Sequence, residues 1–161
     1  MKSVFELTAG TAEVEICSMP DVRIIGKHMV CPEFGVAEAA SLWADCVRDG
    51  SIRTLLRLPN LIPRSLLGWT GDFNPEERQF SYIAGVMTRA GTPVPAGFAH
   101  RDLPASLLAK GVPGSRFALL EALRRLGYAQ TDAPPLWNAE LYFYDEPERE
   151  KGSWLTPVRK A

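Results

Sequence analysis

Residues 22–50 read VRIIGKHMVCPEFGVAEAASLWADCVRDG, and this stretch sets the fold class. From Val22 to Cys31, Val22, Ile24, His28 and Val30 point one way and Arg23, Ile25, Lys27 and Met29 the other, which is strand periodicity. Pro32-Glu33-Phe34-Gly35 ends the strand. From Val36 the period changes: Val36, Ala40, Trp43 and Val47 form a helical stripe, which Ala39, Leu42 and Cys46 widen. Glu38, Asp45 and Asp49 lie off it. Arg48 in the last turn and Gly50 just beyond close an amphipathic helix.

Outward from this stretch the same grammar recurs. Upstream, AEVEICS (residues 12–18) alternates like a strand with one wet face, and Met19-Pro20-Asp21 breaks it. Downstream, residues 51–64 hold Pro59, Asn60 and Pro63 and read as an irregular crossing. Leu66–Thr70 and Gln79–Thr88 read as strands, separated by the turn chemistry of Gly71-Asp72-Phe73-Asn74-Pro75. Gly91-Thr92-Pro93-Val94-Pro95-Ala96-Gly97 is an internal seam.

After the seam Leu103–Lys110 reads as one extended strand, and Val112-Pro113-Gly114-Ser115 leads into a helix, FALLEALRRLGY. Phe117, Leu120, Leu123 and Leu126 make its apolar side, with Gly127 as the stop. Thr131–Pro135 is loop. Ala139–Tyr144 and Trp154–Arg159 are strands joined by the charged turn at residues 145–150, and Pro157 marks the last as an edge strand.

The order is therefore strand–helix–strand–strand, seam, strand–helix–strand–strand, with one extra strand in front. We expect an α+β domain spanning residues 1–161, with pseudo-repeats over about 12–90 and 98–160. Such halves pack about a pseudo-twofold axis and leave a groove between them, where small-molecule sites prefer to form.

Composition narrows the function. The 161-residue chain has 46% hydrophobic and 23% charged residues, which suits one globular domain with its own core. A net charge of −1 supplies no field for nucleic acid or an anionic membrane. No run approaches the ~20 apolar residues of a membrane span, and the acidic start is no signal peptide, so a soluble cytoplasmic protein is expected. Three scattered cysteines and two histidines argue against a disulfide framework, a metal site or a Ser–His–Asp triad, and no cofactor is expected. His28 reads as a satisfied, partly buried histidine and the cysteines as small core fillers.

One strand carries the candidate chemistry. Glu140, Tyr142 and Tyr144 share one face of Ala139–Tyr144, and Leu141 and Phe143 the other. If the Leu141/Phe143 face packs on the helices, Glu140 and the tyrosines line the opposite, concave face. Taken alone, Glu140 reads equally well as a solvated surface glutamate. The aromatics tip the balance: Trp43, Trp69, Phe73, Phe80, Tyr82 and Trp137 exceed what a small two-helix core absorbs. Aromatic faces beside a lone carboxylate suit a flat lipophilic cation, each ring contributing ~0.5–2 kcal/mol.

These residues resemble the GyrI-like small-molecule-binding domain, which also serves as the effector-binding part of AraC-type and MerR-type regulators. The resemblance rests on Val22-Arg23-Ile24-Ile25-Gly26, Ser41-Leu42-Trp43, Leu67-Gly68-Trp69, Phe80-Ser81-Tyr82-Ile83-Ala84-Gly85-Val86, Leu103-Pro104-Ala105-Ser106, Glu140-Leu141-Tyr142 and the closing run Trp154–Val158. Ser81 departs from it, standing where an acid is usual, as does Ser106-Leu107-Leu108-Ala109. The resemblance implies duplicated strand–helix–strand–strand modules, an antiparallel sheet with two helices on one face, and a groove at the pseudo-twofold axis. It implies Glu140 at the groove centre, with Tyr82, Trp69, Trp43 and Tyr142 as walls; Phe73 completes the candidate set.

The expected function is binding of amphipathic, aromatic, cationic small molecules, for sensing or sequestration. Two alternatives stand beside it. One is a cofactor-independent hydrolase of electrophilic lipophilic molecules, in which Glu140 acts as general base and Tyr82 as proton donor. The other, implied by the family name, is a protein partner such as a topoisomerase inhibitor. Residues 1–11 are too short for a helix-turn-helix, so direct nucleic-acid binding is not expected.

Overall fold

Val22–Pro32 is a strand and Val36–Arg48 a helix, as the opening stretch requires. The computed structural model describes residues 5–10, 14–111, 116–144 and 153–161. Ala12 and Glu13, the 112–115 approach to the later helix and the 145–150 turn lie outside the described residues. The elements are β1 (Glu6–Gly10), β2 (Val14–Met19), β3 (Val22–Pro32), α1 (Val36–Arg48), α2 (Ser51–Leu56), β4 (Ser65–Asn74) and β5 (Gln79–Arg89). Then come β6 (Ala99–Leu103), β7 (Ser106–Gly111), α3 (Arg116–Leu126), β8 (Tyr128–Gln130), β9 (Trp137–Phe143) and β10 (Ser153–Lys160). The strands form one antiparallel sheet in the order β1-β2-β7-β10-β9-β4-β5-β3-β6, with β8 also on β10.

The order is symmetrical about the β4–β9 seam. On one side lie β4, β5, β3 and β6, on the other β9, β10, β7 and β2. In the chain, β2-β3-α1-β4-β5 matches β6-β7-α3-β9-β10, and each set lends its first strand to the other: β2 pairs with β7, and β6 with β3.

This exchange forces the sheet to roll. In a flat sheet, six strand spacings of about 4.8 Å would part β2 from β3 by roughly 29 Å. The chain from Met19 to Val22 spans at most about 11 Å. The same mismatch holds for β6 and β7, linked only by Pro104-Ala105. The two crossings meet, and the Ala105 amide donates to Asp21 Oδ1 at 2.7 Å. The roll encloses one face, where Met19, Ile24, Leu67, Ile83, Leu103, Leu108, Leu141 and Leu155 form the main core. The three helices lie on the other face. There α1 covers Cys31, Tyr82 and Ala84, α2 covers Ile25 and Val86, and α3 covers Ile16, Ala109 and Val158.

Several expectations are corrected. Residues 51–64 are not wholly irregular: Gly50 (φ +81) breaks the chain after α1, and Ser51–Leu56 forms a short third helix that buries Leu55. Leu103–Lys110 is two strands, because Pro104-Ala105 must turn between β6 and β7. β10 is an interior strand, between β7 and β9. Pro157 is tolerated there because its carbonyl accepts from Thr131, so its missing N–H faces the gap where β9 pairing ends and β8 pairing begins. On α1 the packed stripe is Ala39, Leu42, Trp43 and Cys46, whereas Val36 and Val47 are exposed. Finally, the Leu141/Phe143 face packs on the rolled sheet rather than on the helices, so Glu140 and Tyr142 share the helix side. All three cysteines are buried, and His28 Nε2 hydrogen-bonds Ser81 Oγ at 3.0 Å.

Gly26 and Gly85 are direct partners across β3 and β5. A Cβ on Gly85 would lie 2.0 Å from the Ile25 carbonyl oxygen, which is backbone and cannot swing aside. Gly85→Ala is expected to lower stability by about 3 kcal/mol, the upper end for overpacking, read as a fall in the denaturant midpoint.

Candidate functional site

The helices cover the flanks of their face and leave its middle open. β4 and β9 pair there with Gly68 opposite Glu140, Leu66 opposite Tyr142 and Thr70 opposite Asn138. Directly opposed residues share a face, so these six residues, five of them with side chains, make one floor. A trough of about 570 Å³ lies above it. One wall is α1 and the turn before it, through Phe34, Val36, Ala40 and Trp43; the other aromatics are Phe80 and Tyr82 on β5. The volume suits a drug-sized ligand.

Gly68 shapes the floor by absence. A Cβ there would sit 2.1 Å from the Tyr82 hydroxyl oxygen, so the Tyr82 ring leans into the space that a side chain would fill. Trp43 Nε1 donates to that hydroxyl at 2.7 Å. The Trp43 ring also meets Tyr142 edge-on, with centroids 5.7 Å apart. Tyr142 in turn donates its hydroxyl to Glu140 Oε2. Two separate hydrogen bonds, Trp43 to Tyr82 and Tyr142 to Glu140, together with the edge-on contact between Trp43 and Tyr142, set the orientation of three aromatic rings. Glu140 is exposed to the trough, and among the described residues no basic side chain lies within ion-pair distance of it.

The electrostatics follow from this packing. Burial pushes the Tyr82 phenol above its usual value, the Trp43 hydrogen bond opposes the shift, and the Glu140 charge adds to it. Burial also raises the Tyr142 phenol, as does its hydrogen bond to Glu140. Both hydroxyls are therefore neutral donors and acceptors at physiological pH.

Four of the expected site residues, Glu140, Tyr82, Trp43 and Tyr142, meet in this trough. Trp69 does not. Strand alternation turns it to the inner face, where it is 1% exposed in the core and capped by the Arg101 guanidinium 5.8 Å from its ring. Phe73 lies outside the trough in an adjoining cavity, within an irregularity in the β4–β5 pairing between Gly71 and Asn74. Phe80, Leu66, Thr70 and Asn138 were missed as floor and wall residues, although alternation from Tyr82, Gly68 and Glu140 predicts each of them. The α1 contacts had no local signal. Phe34 is one of them; it is 87% exposed at the mouth and holds φ +67, a left-handed conformation costing ~1–3 kcal/mol.

Among the described residues no cluster of three or more His, Cys, Asp and Glu forms a metal site, and no helix is long and apolar enough to cross a membrane.

No family model and no curated protein matches the sequence. Solved structures share its fold. SAV2435 bound to tetraphenylphosphonium is similar over 91% of this chain and 94% of its own, with a TM-score of 0.63 at 16% identity. A proposed bacterial transcription regulation protein from Staphylococcus aureus MU50 gives the same TM-score of 0.63 at 16% identity, over 91% of this chain and 98% of that one. The EcmrR C-terminal domain is similar over 92% and 98%, with a TM-score of 0.50 at 12% identity. The likeness is one of fold, and it is the α+β fold that the GyrI-like resemblance implies.

The raised phenols set a pH dependence. The folded chain holds the Tyr82 and Tyr142 protons at pH values where an unfolded tyrosine, near ~10, has lost them. Their contribution to stability is complete below about pH 10 and is lost as pH rises through the folded values. In an absorbance titration of tyrosinate, Tyr82 and Tyr142 should ionise late, and Glu140→Gln should bring Tyr142 down.

Proposed function

We propose that this protein binds lipophilic aromatic cations in the trough, with Glu140 as counter-ion and Trp43, Tyr82, Tyr142 and Phe80 as walls. One observation carries the reading: a carboxylate without a basic partner among the described residues stands in the floor of an aromatic-lined trough. A cation seated there gains the opposite charge and the negative faces of the rings, ~0.5–2 kcal/mol each. A neutral molecule of the same shape gains only the apolar contact, and an anion is repelled. The two hydrogen bonds and the Trp43–Tyr142 ring contact support this role, because they hold the rings and the carboxylate in place before a ligand arrives. Tetraphenylphosphonium, the ligand of SAV2435, has the chemistry that such a site selects.

The reading places the protein among small-molecule receptors that sense or sequester. Calorimetric titration with tetraphenylphosphonium tests it. Glu140→Gln should weaken binding by ~1.5–3 kcal/mol, the range for a lost charge-assisted contact, and triphenylphosphine oxide, the neutral analogue, should bind wild type and variant alike. Equal affinity of the phosphonium for both proteins overturns the anchor role. At about 100 times its dissociation constant the phosphonium should add ~2.7 kcal/mol of stability, visible as a thermal shift.

A further inference from the structure

We infer that the ligand of this site is bipartite: a lipophilic cation on Glu140 joined to a neutral, hydrogen-bonding arm that occupies a second compartment. The inference rests on the proposed cation reading of the trough. A cavity of about 420 Å³ opens on the same sheet face and shares Thr70, Phe80 and Asn138 with the trough, so the two spaces adjoin through those side chains. Beyond them the character changes. Thr131, Gln130 and Thr156 bring hydroxyl and amide groups, and among the described residues no Asp, Glu, Lys, Arg or His lines the cavity.

The described lining offers a charge no counter-ion, and it offers amide or hydroxyl groups hydrogen-bonding partners. Two apolar side chains border the same space while largely exposed: Phe73 at 55% and Leu136 at 53%. Phe73 reaches it because the chain at Asp72 adopts φ +52, with the Asp72 carboxylate held by Arg101 at 2.8 Å on the other side of the sheet. A strained, ion-paired residue thus turns an aromatic ring into the second compartment instead of the core.

The test uses three phosphonium ions: tetraphenylphosphonium, and triphenylphosphonium carrying a short chain that ends either in a primary amide or in a methyl group of matched length. The amide-tailed ion should bind the wild-type protein at least tenfold tighter than the methyl-tailed one. Thr131→Val and Leu136→Ala, both at the second compartment, should erase most of that advantage and leave tetraphenylphosphonium within twofold. Equal binding of the two tailed ions to wild type, or variants that weaken all three ions alike, overturns the bipartite ligand while the cation site stands. Binding of none of the three to wild type overturns the cation reading and the bipartite ligand together.

Discussion

Two short crossings, Pro20-Asp21 and Pro104-Ala105, govern the architecture. Each joins strands that the sheet order places on opposite sides of the β4–β9 seam, and neither is long enough to span a flat sheet. The sheet must roll, and its Leu141 face becomes an enclosed core that includes residues of eight strands. Hydrophobic burial on that inner face removes any need to cover the whole outer face with helices. Helices then lie over the flanking strands, and β4 and β9 keep an open outer surface.

That open surface is where a polar group can persist at the middle of the molecule. Glu140 faces water through the trough and escapes the desolvation cost that the inner face would impose. The rings around it are fixed from several elements at once: Trp43 from α1, Tyr82 from β5 and Tyr142 from β9. Gly68 is what allows Tyr82 to approach the carboxylate, because any Cβ would occupy the position of its hydroxyl. The site is therefore built on strands and a helix, with only its mouth formed by a turn. Such placement favours a preset geometry over one assembled on binding.

Strained and exposed apolar residues gather at the edges of this region. Phe34 and Val36 border the trough, and Phe73 and Leu136 border the compartment beside it. Isolated exposed apolar residues are ordinary on a protein surface. Here they line two adjoining cavities on one face, and Phe34 and the residue before Phe73 both hold left-handed backbone conformations. Elsewhere the polar surface is satisfied by ordinary pairs, such as Arg23 with Asp102 and Arg78 with Glu33.

Local periodicity in the sequence determined β3, α1, β5 and β9, and the co-facial pair Glu140 and Tyr142, because alternation and helical stripes depend only on near neighbours. It also carried Trp43 and Tyr82 into the candidate set. It could not say which face of a strand would be enclosed, and so Trp69, one residue from Gly68, was placed in the site although it fills the core. It could not foresee that Pro157 sits in an interior strand, since the gap its missing N–H faces exists only where β8 and β9 share one neighbour. Nor could it rotate α1 so that Val36 and Ala40 front the trough while Cys46 packs inward. Those choices belonged to the tertiary structure, because they follow from the roll that two short crossings impose on strands distant in sequence.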